Sequence, residues 1–330
     1  MSARSWSAPG WVALICVGTL AVAAPGLADA LRWVPLLLGL VVFALPHGAV
    51  DHHVPRRLGR AGGPVFVAVY GSAVAGGVAL WSLAPLATLG AFFAVAAVHW
   101  GCGDGWYARA VHHRPPFARR LDAGLFVAAR GALPVALPAL AHPAELARGA
   151  DAILGAVGAG PAPAIAGPVR AAGLVAVALL VLAAALTSAR AGRASPSAKL
   201  VDIGELALLT AFFTLTPAIL AVGTYLLAWH APRHVARLIA TDPAQAGLPP
   251  RRALAAWTRE AAPLTLASLA GLGLLAATAW RVPATADTVA GAALALIAAL
   301  TFPHAAVVGW MDRRQAVFTV SAGAGGWRNH

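Results

Sequence analysis

A chain of 330 residues that is 60% apolar and 11% charged, against roughly 45–50% and about 25% in soluble domains, is not a pair of soluble globular domains. Its mean hydropathy of +0.76 points to a polytopic membrane protein, and so little charge beside so much apolar surface excludes a disordered chain. The net charge of +12 would suggest nucleic acid in a soluble protein, but here the membrane surface is the first place to look for its meaning.

Apolar stretches of about 20 residues, the length a helix needs to cross the hydrocarbon core, occur near 11–28, 33–50, 64–83, 86–104, 122–141, 167–189, 201–215, 218–240, 262–280 and 289–311. The expected fold is therefore all-α, a polytopic integral membrane helical bundle of about ten transmembrane helices, within a range of eight to ten, forming one domain over residues 1–330. The segment at 201–215 is short and carries Glu205, which weakens it as a span. The first segment runs into a small-x-small pattern at Ala28 and Ala30. A cleaved signal is thus the alternative to the retained helix that the weakly charged N-terminal region favours. The stretch 150–166 reads as a non-cytoplasmic loop with a partial helix.

Strict alternation of ten spans places nineteen of the 24 Lys and Arg residues on one face. Only Arg32, Arg148, Arg170 and Arg281 fall on the other, and Arg130 lies inside a span. That asymmetry predicts a multi-pass protein of the cell (inner) membrane with both termini cytoplasmic. The charge is then an orientation signal and not a surface for nucleic acid. Cys16 and Cys102 sit in apolar segments, so neither a disulfide framework nor a zinc knuckle is implied. Trp81, Trp257, Trp280 and Trp327 read as interfacial belt residues.

The eleven histidines divide into two groups. His112, His113, His142 and His330 are expected in solvated loops or at the terminus, and His53 at the interface. His47, His99, His230, His234 and His304 all fall in the cytoplasmic half of the bilayer at similar depth, where ionisable side chains are expensive and usually face a site or a partner. His230 and His234, in "HAPRH", are i and i+4, about 40° apart on a helix, with Cβ atoms roughly 5–6 Å apart. That spacing suits two ligands of one metal, although Pro232 between them should kink or restart the helix. In "LPHGAVDHH" Asp51 is placed to orient the second nitrogen of His47, or else to pair with Arg56 or Arg57. His52, about 140° round the helix from His47, is unsuited to the same ion. "VHWGCGDGW" sets His99 beside Asp104 and two glycines that permit close approach. "FPHAAVVGWMD" repeats the Pro-His pairing at Pro303 and His304, with Asp312 two turns on at the membrane boundary. Neutral imidazoles gathered at one depth suit a divalent first-row metal. The residues by themselves point to a membrane metalloenzyme using oxygen on an apolar molecule.

The blocks "LPHGAVDHH", "VHWGCGD", "WHAPRHVARL" and "FPHAAVVGWMD", in this order and spread over nearly the whole chain, resemble the four signature blocks of the Brp/Blh family of β-carotene 15,15′-dioxygenases. The resemblance implies an all-helical membrane enzyme that uses Fe(2+) and O2 to cleave the central double bond of β-carotene into two all-trans-retinal. It further implies four iron ligands, His47, His99, His230 and His234. His304 is left as a ligand, a supporting residue or pocket wall, and Asp51, His52, Asp104 and Asp312 as supporting or pocket candidates. Two alternatives stand beside it: an iron oxygenase acting on another carotenoid or lipid, and a transporter using an intramembrane His/Asp proton relay. The sequence carries no signal for oligomeric state.

Overall fold

In the computed structural model, residues 4–59, 63–192, 194–278 and 285–318 are described. Arg60, Arg193, Trp280, Arg281, Trp327, Arg328 and His330 lie outside the described residues. Helices dominate, and among the described residues there is no β-strand. In chain order they are α1 (Arg4–Ala23), α2 (Pro25–Ala30), α3 (Val34–Gly39), α4 (Leu45–Ala49), α5 (Val54–Arg57), α6 (Pro64–Leu83), α7 (Pro85–Ala110), α8 (Arg120–Ala141), α9 (Pro143–Ala156) and α10 (Gly167–Ala189). They continue as α11 (Pro196–Leu215), α12 (Ala218–Tyr225), α13 (Ala231–Thr241), α14 (Pro250–Thr278) and α15 (Ala286–Arg314).

Proline writes much of this punctuation. α2, α6, α7, α9, α11 and α14 each begin on a proline, whose fixed φ and missing N–H fit the first helical turn. The chain turns sharply before Pro25, Pro85 and Pro143, where Ala24, Ala84 and His142 leave helical geometry. The partial helix expected around residue 150 is α9, followed by coil over 157–166.

Among the described residues, six stretches are long and apolar enough to cross a membrane: Val34–Arg57, Pro64–Leu83, Pro85–Ala110, Arg120–Ala141, Gly167–Ala189 and Val289–Arg314. The count of about ten is therefore not reproduced on length and composition alone. α11 carries Lys199, Asp202 and Glu205, the 218–240 segment is broken and holds Arg233 and Arg237, and α14 begins with Arg251, Arg252, Arg259 and Glu260. Outward apolar side chains such as Leu83, Val65 and Leu200 are at least 73% exposed, as lipid-facing positions would be.

α1 belongs to the bundle. Leu14 is fully buried against Phe212 and Phe213 of α11, and Ser7 Oγ lies 3.1 Å from the Tyr107 hydroxyl on α7. Two expected belt residues are instead core: Trp81 packs among Leu89, Phe92 and Ala298, and Trp257 among Val235, Leu238 and Met311. An indole at a helix end becomes interior once a neighbouring helix covers it, which amphipathic character alone does not reveal.

α7 and α8 pack backbone to backbone. A Cβ on Gly101 would lie 2.1 Å from the Val127 carbonyl oxygen, and one on Gly131 2.0 Å from that of Ala97. Each helix thus offers a glycine to the other's backbone, the small-residue packing that membrane helices use. Gly131→Ala is expected to destabilise the protein by about 1–3 kcal/mol through overpacking, seen as a lower thermal midpoint in detergent. Gly124→Ala on the same helix, with nothing within 4 Å, should leave that midpoint unchanged.

Candidate metal centre and cavity

Two helices are interrupted by a π-helical turn just before a histidine-proline element. One covers Leu40–Ala44 between α3 and α4, the other Leu226–His230 between α12 and α13. In each, an N–H bonds five residues back, from Leu45 to Leu40 and from Ala231 to Leu226. Pro46 and Pro232 explain the position of both turns. A proline clashes with the carbonyl four residues before it and cannot bond to it. Those carbonyls belong to Val42 and Ala228, inside the widened turns. Gly10 of α1 sits against Ala228, where a Cβ would lie 2.8 Å from its carbonyl oxygen.

His47 on α4, His99 on α7, His230 and His234 around the second break, and His304 on α15 meet in one place. His47 lies 4.8 Å from His304 and 5.0 Å from His234 between ring centroids. His99 lies 4.9 Å from His304 and 5.0 Å from His230. His230 and His234 are 6.3 Å apart and nearly parallel, with 12° between ring planes. The kink at Pro232 therefore does not separate this pair. All five are at most 7% exposed.

These residues fit a metal ion in two respects. Imidazoles bound at about 2.0–2.1 Å to one ion have ring centroids roughly 5 Å apart, close to the spacings observed. His47 Nδ1, His99 Nδ1, both nitrogens of His234 and His304 Nε2 are also buried without a hydrogen-bond partner, a costly state unless something else satisfies them. Among the described residues no three His, Cys, Asp or Glu side chains stand as a finished ion cage. Ring spacing and orphaned nitrogens, not a completed coordination geometry, mark the place.

His47, His99, His230 and His304 form part of the wall of an apolar cavity of about 300 Å³. Its other walls include Trp33, Leu36, Phe92, Phe93, Trp100 and Leu294. His234 stands behind this wall and does not line the cavity. A Cβ at Gly103 would lie 3.6 Å from the His230 ring, an ordinary contact, whereas one at Gly101 would collide with the backbone of α8.

The remaining candidates are placed differently from expectation. Asp51 bonds neither His47 nor an arginine. Its Oδ2 lies 2.8 Å from His304 Nδ1 and accepts a hydrogen bond from the Tyr70 hydroxyl at 3.0 Å. Its neighbours Arg56 and Arg57 are occupied elsewhere, by His53 and by Asp242 and Glu260. His52 is outside the cluster, its Nδ1 2.9 Å from the Ala49 carbonyl oxygen, and His53 faces Glu260. Asp312 does not stand free at a membrane boundary but pairs with Arg237 at 2.8 Å. His112 is not a solvated loop residue. Its Nε2 lies 2.9 Å from Ser7 Oγ, and burial holds its imidazole below the ordinary pKa against the pull of Glu205. His142 Nε2 lies 3.0 Å from the Thr214 carbonyl oxygen.

Asp104 is absent from the cavity wall and belongs to a buried ionic square. Arg130 of α8 reaches Asp104 at 3.3 Å and Glu205 at 2.8 Å, and Arg233 of α13 reaches the same two at 3.0 Å and 2.5 Å. Trp229 Nε1 also donates to Asp104, and Trp11 Nε1 to Glu205. All four charged side chains are at most 7% exposed. Arg233 lies between His230 and His234 in sequence, so the square fixes the helix that presents both rings. Sequence reasoning treated Glu205 as a defect in a span. The buried arginine Arg130 inside a neighbouring span was the signal for its partner.

The family model for "Beta-carotene 15,15'-dioxygenase" matches residues 38–312. The chain is 36% identical over 327 residues to "Probable beta-carotene 15,15'-dioxygenase Blh" of Halobacterium salinarum, covering 96% of this chain and 94% of that protein. It is 29% identical over 311 residues to "Probable beta-carotene 15,15'-dioxygenase Brp" of the same organism, covering 86% and 84%. No solved structure matches.

Removing one corner of the ionic square tests its importance. Arg233→Met leaves Asp104 and Glu205 sharing Arg130 alone, and should destabilise the protein by about 3–5 kcal/mol, the usual cost of breaking a buried charge pair. Thermal unfolding in detergent micelles measures it. Arg56→Met, at an exposed position, should stay within about 1 kcal/mol of the parent.

Proposed function

The chain belongs to the β-carotene 15,15′-dioxygenase family, and from that premise we propose that it cleaves the central 15,15′ double bond of β-carotene with O2. One oxygen atom goes to each half, giving two all-trans-retinal. The proposed site is a ferrous centre held by His47, His99, His230 and His234. The observation carrying this reading is that four histidines, spread over 188 positions from His47 to His234, come together with several ring nitrogens unpartnered, three of the four rings in the wall of an apolar cavity.

Bound there, Fe(2+) would supply the electrons that activate O2. The chain's own residues have three tasks. The aromatic and aliphatic walls, Phe92, Phe93, Trp100 and Leu294 among them, would grip a rigid polyene by dispersion and exclude water. A grip in one register makes attack on one bond effectively intramolecular. Regiospecificity would then come from how much cavity lies on either side of the histidine wall, because an apolar polyene offers no polar group by which to be read. The neutral imidazoles would leave the ion's charge to be balanced from outside the ring set.

The whole chain would form one domain in the cell (inner) membrane with both termini cytoplasmic. α1, α11, the α12–α13 unit and α14 would join the six apolar spans, since the acidic groups of α11 are buried and paired inside the bundle. A lipid-soluble substrate would enter sideways from the bilayer.

Expression in a bacterial host that makes β-carotene should remove the orange colour and leave retinal in the extract. Ala at His47, His99, His230 or His234 should abolish retinal formation and iron retention together. Normal activity in one of these variants would remove that residue from the ligand set. Colour persisting beside folded, iron-loaded protein would count against β-carotene as the substrate.

A further inference from the structure

Four histidines are assigned above, but the cluster contains five. His304 is 6% exposed and its ring centroid lies 4.8 Å from His47, 4.9 Å from His99 and 5.2 Å from His234. It is as central as any of the four. Its two nitrogens have opposite situations. Nδ1 is 2.8 Å from Asp51 Oδ2, whereas Nε2 is buried and has no partner.

A neutral imidazole that donates from one nitrogen presents a lone pair on the other. The Asp51 contact therefore selects the tautomer with the proton on Nδ1 and leaves Nε2 as a donor to an ion. A carboxylate behind an imidazole is also the arrangement that orients metal-bound histidines and raises their basicity. An Asp–His pair serving packing alone has no reason to bury the second nitrogen unsatisfied beside four other imidazoles. Tyr70 extends the chain by one link, because its hydroxyl donates to the same Asp51 oxygen at 3.0 Å while the residue lines the cavity.

We infer that His304 is a fifth imidazole donor at the proposed iron centre, and that Asp51 and Tyr70 are positioning residues that aim its Nε2. Asp51 would also bring negative charge one hydrogen bond away from an otherwise neutral ligand set. The inference rests on the metal reading of the preceding subsection and goes beyond its four ligands. It also moves Asp51 from His47, where local spacing had suggested it, to a histidine on the last helix.

The test uses full-length protein in detergent, stripped of metal and titrated with Co(II), whose visible absorption reports the number and kind of ligands. The parent should bind one Co(II) per chain. His304→Ala should change the shape and intensity of the cobalt bands, and His304→Gly should recover the parent spectrum when free imidazole is added. Asp51→Asn should weaken binding by about 10–100-fold, the usual effect of losing such a support, and Tyr70→Phe should weaken it by a smaller factor. If the alanine variant is not recovered folded, Asp51→Asn and Tyr70→Phe, which remove almost no volume, carry the same readings. Parental affinity and spectrum in both the His304 and Asp51 variants would overturn the inference while leaving the four-ligand reading intact. A parent that takes up neither cobalt nor iron would overturn both.

Discussion

Two arginines and two carboxylates, closed into a square between four helices, are the constraint on which the histidine arrangement depends. Each of Asp104 and Glu205 is shared by Arg130 and Arg233. An isolated charge in so apolar an interior is heavily penalised, while a group of four whose charges cancel and pair is tolerable. The square therefore admits little slippage: moving α13 along its axis would break two ion pairs at once. Arg233 lies three residues after His230 and directly before His234, and Trp229, next to His230, locks onto Asp104. The electrostatics of one cluster thus set the backbone that carries the imidazoles of another.

The two clusters divide the polar content of the bundle by type. The square is charged, internally paired and away from the cavity. The histidine group is neutral in type, short of partners and at the cavity wall. Asp51 is the link between the second cluster and formal charge, and it comes from the short 3₁₀ turn that follows α4. A carbon framework with no polar handle can be held by such a cavity only through shape, so helices that fix the walls also fix what can be reached from them.

Much of this was legible in the chain. Counting depth along an expected alternation of spans puts five histidines at one level, and those five rings are the ones that meet. Convergence at one point needed tertiary structure. Asp51 illustrates the limit. Helical spacing suggests His47, four residues away, but the 3₁₀ turn swings the carboxylate toward His304, 253 positions distant. Asp104 misleads in the same way, since proximity to His99 in sequence says nothing of Arg233 on a later helix. Glu205 counts against α11 as a span for a related reason: hydropathy scores a charge as cost and cannot see Arg130 and Arg233, which pair with it. Trp81 and Trp257 fail for the complementary reason, an amphipathic residue having no preference that distinguishes an interface from a covered helix end.

The π-helical turns were invisible in composition, and they have a consequence for how the site is phased. Such a turn is an α-helix holding one residue more than its register requires. One residue in an α-helix corresponds to about 100° of rotation. The extra residue in Leu40–Ala44 therefore sets the compass bearing of His47 relative to α3, and that in Leu226–His230 sets His230 and His234 relative to α12. Close approaches of Gly223 to Leu36, ahead of both turns, and of Gly39 to Leu227, at the second turn itself, hold the two helices together. The pair of helices works like a clamped shaft with an indexed coupling at its end: the grip and the aim are set by separate residues, so side chains could change along the shaft without turning the imidazoles away.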